Sequence, residues 1–275
     1  MKINQTSMCC FLPVKRLLFA AACLLGFLSA NAQPPERRQP TSAEELPKLK
    51  TKVAEEIKAA TTDTARVRLL IQLASLNSRD NLNEAVKLGK EAVALADKSG
   101  HTETIARSYM SFGTIYLTNN RYDDALEYLN KGLPAAEKTG KPEVLQPYFN
   151  NLGLIYDRRG VYEKALGYYR KSYSALEKMQ TPPARQAGAL MQISQILGRT
   201  GKYRESIDTY QTALGFAEQA QDWEKVSGIW YNIGNNYKDL GEEEQAEQAF
   251  AKSGEFRERD KKKVPSPANG KSGNN

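Results

Sequence analysis

The clearest pattern of apolar and polar positions in the chain lies between residues 149 and 173. In the first half, apolar or small residues recur at the three- and four-residue spacing of one helix face: Phe149, Leu152, Gly153 and Tyr156. The second half has the same spacing at Tyr162, Ala165, Leu166, Tyr169 and Tyr173. Gly160 lies between the halves, and glycine can adopt the positive φ that ends one helix and reverses the chain. The segment therefore predicts two amphipathic helices that pack face to face.

This helix pair recurs along the chain. The residues that correspond to Leu152 are spaced 39, 40, 41 and 40 positions apart: Leu73, Phe112, Leu152, Ile193 and Ile233. The predicted turn inside each pair has one position that is always Asn or Gly: Asn81, Asn120, Gly160, Gly201 and Gly241. Because these residue types tolerate a left-handed backbone, we expect a positive φ at all five positions.

Five helix pairs follow from this spacing, and a single helix precedes them. The predicted pairs are 64–78 and 82–98, 102–118 and 122–138, 142–158 and 162–179, 183–199 and 203–219, and 223–239 and 243–259. The single helix starts at about Pro47 and has one apolar stripe: Leu46, Leu49, Val53 and Ile57. We interpret it as a cap that covers the first exposed apolar face of a stack of repeats. The fold class predicted is all-α.

Small residues occupy fixed positions inside the predicted helices. Gly153 and Ala165 lie within otherwise good helices, and we interpret them as positions where two helix axes approach closely. Ser194 and Ser206 stand at the corresponding positions of the fourth pair. Each glycine is expected to serve a turn or close helix packing, so we predict no glycine loop that could cradle phosphate.

The order of aromatic, Leu-Gly, Tyr, Ala and Tyr positions in residues 149–173 resembles the tetratricopeptide repeat, and the resemblance covers residues 64–260. The period exceeds the roughly 34 residues of the common repeat, so each helix should be about one turn longer. The chain is thus similar to the long-helix branch found in kinesin light chains, in Gram-positive peptide-sensing regulators and in sensor regions of bacterial histidine kinases. This implies a right-handed α-solenoid of five helix-turn-helix repeats with an N-terminal capping helix, within residues 43–260.

The first 32 residues are predicted to be a signal peptide. An apolar run extends from Leu17 to Leu28, and Ala30-Asn31-Ala32 offers the small residues that a signal peptidase accepts, so the mature chain would begin at Gln33. The run is too short to anchor the chain across a bilayer as a conventional helix. Two alternatives stay open: a lipoprotein acylated at Cys23 and an uncleaved anchor. The prediction is an exported protein, periplasmic or extracellular, whose mature chain has no cysteine and no transmembrane segment.

Composition changes on both sides of the predicted repeats. Residues 33–42 contain three prolines and charges of both signs, so we predict a disordered linker there. Residues 261–275 are predicted to form a disordered basic tail. The net charge of the whole chain is +7, but residues 33–251 have 29 basic and 29 acidic side chains. A neutral repeat region argues against nucleic-acid binding, which needs a basic surface.

No catalytic group can be assembled from the remaining residues. The single histidine, His101, follows Gly100 at a predicted turn and has no cysteine or second histidine with which to bind a metal or form a triad. The carboxylates of Asp123 and Asp124 lie at a predicted helix start, where the helix dipole accounts for them. We therefore expect no enzyme activity, no cofactor and no metal site.

Polar amides recur on the predicted first helices, just before each Leu/Ile-Gly/Ser position, as Asn151, Gln192 and Asn232. No helix-pair core requires an amide there, and an amide can pair with the backbone of an extended peptide. The resemblance to long-helix repeats implies that Asn at this position contacts bound peptide. The predicted peptide-binding groove also includes Arg158, Arg199, Asn150, Tyr231 and Asn235. Arg158 and Arg199, about one repeat apart, could bind an acidic side chain or a carboxylate. The alternative is an ordinary solvated helix face.

The sequence therefore predicts an exported scaffold that binds a protein or peptide partner in the concave groove of the solenoid. The alternative is a sensor or accessory module that acts in trans on a membrane histidine kinase. The oligomeric state and the identity of the partner do not follow from the sequence.

Overall fold

The computed structural model describes residues 45–263, with side chains up to residue 260, and the compact unit that contains the repeats begins at Pro47. The predicted signal peptide (1–32), the predicted linker (33–42) and most of the predicted tail (261–275) lie outside the described residues. The described residues form these helices: α1 (Glu45–Ala59), α2 (Asp63–Asn77), α3 (Leu82–Ser99), α4 (Thr102–Thr118), α5 (Tyr122–Thr139), α6 (Pro142–Arg158), α7 (Tyr162–Lys178), α8 (Pro183–Arg199), α9 (Tyr203–Gln219), α10 (Trp223–Asp239) and α11 (Glu243–Lys263).

The predicted five-pair solenoid is confirmed. The most extensive contacts are those within the pairs α2–α3, α4–α5, α6–α7, α8–α9 and α10–α11. The helix bounds agree with the predicted ones within one residue, with two exceptions: α1 begins at Glu45, two residues before the predicted start at about Pro47, and α11 continues to Lys263 instead of ending at residue 259. Its last turn is therefore basic, which complements the negative end of the helix dipole.

The turn residues follow the prediction at four of five positions. A positive φ is found at Asn120, Gly160, Gly201 and Gly241. The prediction is wrong for Asn81, whose φ is −144°. α2 ends early, at Asn77, and Asn81 acts as the N-cap of α3, where its side-chain oxygen accepts a hydrogen bond from the backbone N–H of Glu84 at 3.1 Å. Four further left-handed residues lie in the connections between repeats: Gly100 before α4, Gly140 before α6, Gln180 before α8 and Gln221 before α10.

Close packing explains some of the glycines but not all of them. A Cβ on Gly153 would lie 2.7 Å from Cδ1 of the Tyr169 ring, so the predicted close approach of α6 and α7 is confirmed. The expectation that every glycine serves a turn or close packing is wrong. Five helical glycines would place a Cβ with nothing within 4 Å: Gly167, Gly188, Gly215, Gly228 and Gly254.

The two ends of the described stack are closed in different ways. At the first end, Val53 of α1 is 1% exposed and Ile57 packs against the core, in line with the predicted cap. At the other end, α11 has Glu247, Gly254 and Arg257 at the positions where α9 buries Ile207, Leu214 and Ala217. The outer row of α11 is therefore polar, as expected for the terminal helix of a solenoid.

Successive repeats are joined mainly through the second helix of one repeat and the first helix of the next, as in α7–α8 and α9–α10. Neighbouring first helices make further contacts, because α4 contacts both α2 and α6, and α10 contacts α8. Within residues 45–263, no two successive second helices contact each other as extensively as α4 contacts α2 or α6. The first helices α2, α4, α6, α8 and α10 form one row of the stack, and we call the exposed side of this row the inner face.

Candidate functional site

The inner face presents the same helix positions in each repeat. On α10, for example, Gly234 faces the Phe250 ring of α11, and Tyr231 packs one side of its ring on Phe250 while half of its side chain stays exposed. On α6 the buried residues are Val144, Tyr148, Leu152, Gly153 and Ile155. Asn150 and Asn151 lie outside this buried arc and are half-buried. The predicted groove residues are thus brought to one side of the stack because they share one helical register.

Asn151 takes part in the contact between neighbouring first helices. Its side-chain nitrogen donates a hydrogen bond to Oγ1 of Thr114 on α4 at 2.8 Å. The Thr114 hydroxyl in turn donates to the backbone carbonyl of Met110 at 2.9 Å. Asn151 therefore joins α6 to α4, and of its amide only the oxygen and the second N–H remain for a ligand.

The equivalent amides in the next two repeats have no such bond. Gln192 on α8 and Asn232 on α10 are half-buried, and neither side chain makes a hydrogen bond within the described part of the chain. The same holds for Asn150 and Asn235. An amide side chain has two donors and one acceptor, so these residues keep their full hydrogen-bonding capacity at the surface.

The two predicted arginines differ in their surroundings. Arg199 forms an ion pair with Asp157 of the preceding repeat. Arg158 is exposed and has no salt-bridge partner among residues 45–260. The structure therefore leaves Arg158 available to an anionic group, whereas Arg199 would have to leave Asp157 or share it.

Tyr231 is the most exposed aromatic residue of the inner face. Its side chain is 50% exposed, and its ring lies 5.5 Å from the ring of Phe250. Only Val161 is also a large, exposed hydrophobic residue in the region that the structure describes. Tyr231 therefore offers an apolar surface that no described residue covers.

A shallow cleft of about 250 Å³ lies between α2 and α4, which the sequence did not predict. Its lining is rich in hydroxyl groups: Ser75, Ser78, Met110, Ser111, Thr114, Ile115 and Thr118. Ser75 and Thr118 donate their hydroxyl hydrogens to backbone carbonyls of their own helices, at 2.8 and 3.0 Å. These hydroxyls can still accept hydrogen bonds but have no hydrogen left to donate.

A buried polar chain joins the last two repeats. The Asn236 side-chain nitrogen donates to Oγ of Ser206 at 2.7 Å, and that hydroxyl donates to the backbone carbonyl of Ser194 at 2.8 Å. Earlier repeats bury Ile115, Ile155 and Ile196 at the position of Asn236. Ser206 thus has a partner one repeat later, whereas the Ser194 hydroxyl donates to the backbone carbonyl of Leu190 on its own helix at 2.9 Å. In the sequence, this polar chain was indicated by Asn236 in the fifth repeat, at a position where the earlier repeats have Ile.

Sequence models of known families identify the family of these helical repeats. Models described as tetratricopeptide repeat match residues 66–138, 149–183, 187–219 and 227–255, which is more than half of the chain. The chain belongs to the tetratricopeptide-repeat family. No curated protein matches this tetratricopeptide-repeat chain in sequence.

Solved structures share the fold of this tetratricopeptide-repeat protein at low sequence identity. BtubC (BKLC) from P. vanneervenii is 20% identical, with a TM-score of 0.73 over 85% of this chain and 98% of that one. The repeats assigned to a kinesin light chain of Podosopora anserina are 16% identical, with a TM-score of 0.62 over 74% and 100%. A signal-transduction ATPase from Pyrococcus horikoshii with a tetratricopeptide repeat sensor is 19% identical, with a TM-score of 0.63 over 79% of this chain and 33% of that one. These likenesses concern the fold.

The shifted tyrosines of the tetratricopeptide repeats have their pKa raised mainly by burial. Burial, and then the Asp97 carboxylate, which accepts a hydrogen bond from its hydroxyl at 2.7 Å, raise the pKa of Tyr109 to about 12. Burial and then the neighbouring Tyr128 raise the pKa of Tyr116 to about 12. Each shift is explained by packing in the repeat core.

His101 lies at the turn between α3 and α4, as predicted. It lines an open cleft of about 400 Å³ together with Glu103 and Lys141, which pair with each other at 2.7 Å. Residues 45–260 contain no group of three His, Cys, Asp or Glu side chains arranged to hold a metal ion. None of the described helices is both long enough and apolar enough to cross a bilayer.

Proposed function

We propose that this tetratricopeptide-repeat protein is an exported scaffold that binds a protein or peptide partner along its inner face. Tetratricopeptide-repeat proteins bind protein partners, and the finer assignment rests on one observation. Gln192 and Asn232, one repeat apart on neighbouring first helices, keep unpartnered amides at the surface. Nothing in the packing of the helix pairs requires amides at these positions.

Amides at this spacing suit the backbone of an extended peptide. Packed helix axes lie about 8–10 Å apart, which equals the length of roughly three residues of extended chain. Each amide can donate to a peptide carbonyl and accept from a peptide N–H, whatever the peptide side chains are. Asn151 on α6 adds a third repeat to this series of amides through its remaining donor and acceptor. Arg158, at the end of α6, adds a positive charge.

The export part of the proposal rests on the first 32 residues. Their apolar run and the Ala30-Asn31-Ala32 motif fit a cleaved signal peptide. A partner should therefore be sought among periplasmic or surface proteins, and no catalytic activity is proposed for the repeats.

The proposal can be tested with the mature chain, residues 33–275, as bait for periplasmic proteins of the native host. The affinity of a captured partner would be measured for the wild type and for the double variant Gln192→Ala with Asn232→Ala. Each amide is worth on the order of 1 kcal/mol, so the double variant should bind roughly tenfold or more weakly at an unchanged melting temperature. Unchanged affinity would place the binding surface elsewhere.

A sensor or accessory module acting in trans on a membrane histidine kinase remains the second candidate. It uses the same inner face but a different partner. If this candidate is right, the captured partner should be the periplasmic domain of such a kinase. Addition of the mature chain should then change the autophosphorylation of that kinase. Binding without any change in kinase activity would leave the scaffold as the better description.

A further inference from the structure

The row of first helices is interrupted between the third and fourth repeats. The backbones of α2 and α4, of α4 and α6, and of α8 and α10 are in contact, whereas those of α6 and α8 do not approach each other to this extent. The buried apolar residues are divided in the same region, because one core cluster ends at Ile155 of α6 and the other begins at Ala165 of α7. We call the space between α6 and α8 on the inner face the α6–α8 gap.

The length of the connection between repeats explains the α6–α8 gap. Two residues connect α3 to α4 and α5 to α6, three connect α9 to α10, and four, residues 179–182, connect α7 to α8. The contact between first helices decreases in the same order: it is extensive for α2–α4 and α4–α6, smaller for α8–α10 and smallest for α6–α8. The four-residue connection contains the left-handed Gln180 and ends in Pro182, whose φ of −53° and ψ of 144° are extended. Added residues in an extended conformation therefore set the start of α8 apart from α6.

The side-chain bonds between first helices differ in the same way. α6 is bonded to α4 by the buried hydroxyl of Tyr148, which donates to the backbone carbonyl of Ala106 at 2.5 Å, and by the bond from Asn151 described above. At the positions of Tyr148 and Asn151, α8 has Ala189 and Gln192. Alanine has no polar group and Gln192 is unpartnered, so α8 lacks the equivalent bonds to α6.

One side-chain contact crosses the α6–α8 gap. Arg199 of α8 pairs with Asp157 of α6, and within residues 45–260 no other side-chain hydrogen bond or ion pair joins these two helices. The Asp157 side chain is 14% exposed and the Arg199 side chain is 50% exposed. Because half of the arginine is in contact with solvent, water can replace the carboxylate at a small cost in free energy.

The opposite side of the stack is joined more firmly at this place. α7 forms an extensive pair with α6 and also contacts α8 extensively. Arg170 of α7 pairs with Glu205 of α9 at 2.7 Å, and Lys202, just before α9, pairs with Glu163 of α7 at 3.6 Å. These contacts hold the third and fourth repeats together on the side of the second helices. A relative motion of the two repeats would therefore open or close the inner face.

We propose that the stack bends at the α6–α8 gap, with α8–α11 turning about α7, and that the ion pair between Arg199 and Asp157 holds the gap closed. Bending of this kind needs only small sliding of packed helices. Asn151 lies on one side of the gap and Gln192 on the other, so bending changes the distance between these two amides. If the inner face binds a partner, as proposed above, the partner would select one of the two spacings.

Distances between pairs of spin labels, measured by pulsed electron paramagnetic resonance, test the bending in the free mature chain. Residues 33–275 contain no cysteine, so labels can be attached to introduced cysteines. The pair Thr118→Cys with Lys238→Cys spans the gap, from α4 to α10, and the control pair Gln72→Cys with Arg158→Cys extends from α2 to α6. All four side chains are exposed. We expect a broader distance distribution for the pair that spans the gap than for the control pair.

Removing the ion pair tests how the gap is held closed. Asp157→Asn removes the charge at an almost unchanged size, and about 1 M salt reduces the screening length to about 3 Å. Either change should lengthen the mean distance between labels at 118 and 238 and leave the control pair unchanged.

The matched variant is Glu103→Gln, which breaks an ion pair with Lys141 between the second and third repeats. Because the bonds from α6 to α4 remain, it should change neither distance. Both variants should melt close to the wild type, since partly exposed ion pairs contribute little to stability.

Three results would contradict the proposal. Equally narrow distributions for the two label pairs would show that the gap does not bend. Equal broadening of both pairs would distribute the bending over the whole stack. A broad distribution across the gap that responds neither to Asp157→Asn nor to salt would show that the ion pair does not hold the gap closed. No partner is present in these measurements, so they fail or succeed independently of the proposed function.

Discussion

Replacing Gly153 by alanine should destabilise the protein, although alanine is the better helix former. The new Cβ would lie 2.7, 2.8 and 3.1 Å from three carbons of the Tyr169 ring, where ordinary contacts between carbon atoms are about 3.5–4.0 Å. Tyr169 is itself buried, so its ring cannot move into solvent without exposing core. Overpacking of this kind costs about 1–3 kcal/mol.

Gly167→Ala in α7 is the matched control, because it makes the same chemical change in open space. Both substitutions gain up to about 1 kcal/mol from helix propensity, so the difference between the two variants isolates the clash with Tyr169. We expect Gly167→Ala to stabilise the protein and Gly153→Ala to be about 1–3 kcal/mol less stable than Gly167→Ala. For a domain of this size that corresponds to a separation of roughly 2–12 °C in melting temperature.

The assay is urea unfolding followed by circular dichroism at 222 nm, with the m-value checked for each variant because repeat arrays can lose two-state behaviour. The reasoning about close helix packing would be refuted if Gly153→Ala were as stable as Gly167→Ala. A lowered m-value for Gly153→Ala alone would indicate that the α6–α7 pair separates before the rest of the stack.

Three further predictions follow from the core and from the chain's first residues. Asn236→Ala leaves the Ser206 hydroxyl without its buried donor and should lower the free energy of urea unfolding by about 1–3 kcal/mol. Asn236→Ile with Ser206→Ala restores the residue types of earlier repeats and should be about as stable as the wild type. An equal loss of stability in both variants would contradict this prediction. The raised pKa values of Tyr109 and Tyr116, about 12 against an ordinary 10.0, stabilise the fold below pH 10, and this stabilisation is lost as the pH rises towards 12. The part of the tyrosinate absorbance at 295 nm that is lost in Tyr109→Phe and Tyr116→Phe should therefore appear only together with loss of helix, and its appearance near pH 10 in a helical protein would be the contrary result. Intact mass from the native host should correspond to a chain that begins at Gln33, and an acylated Cys23 would show a lipoprotein instead.

The helices and their pairing could be predicted from the sequence because the relevant signals are local and repeated five times. Apolar spacing fixed the helix faces, and a glycine or asparagine marked most turns. Asn81 was mistaken for a left-handed turn residue because Asn serves equally well as an N-cap, and only the position where α2 ends decides between the two. Gln180 and Gln221 gave no signal at all, because glutamine has no preference for the left-handed region that these short connections impose on it.

The candidate site was only partly predictable because it depends on residues about 40 positions apart in sequence. The helical register placed the amides on one face, but the bond from Asn151 to Thr114 and the pair between Arg199 and Asp157 depend on how neighbouring repeats stack. The sequence also does not indicate which glycines are crowded by neighbouring side chains. Gly153 and Gly188 both lie inside helices, yet one is in contact with a buried ring and the other faces open space.

This difference bears directly on how the inner face can be used. Crowded glycines such as Gly153 cannot be substituted without a loss of stability, so packing alone explains them. Gly188 and Gly228 could be replaced by alanine with a gain in stability, and so the fold gives no reason for them. On α6 only Asn151 is engaged between helices, through Thr114 of α4, whereas Asn150 of α6, Gln192 of α8 and Asn232 of α10 keep unpartnered amides. A ligand that needs free hydrogen-bond donors can therefore find them on three successive first helices.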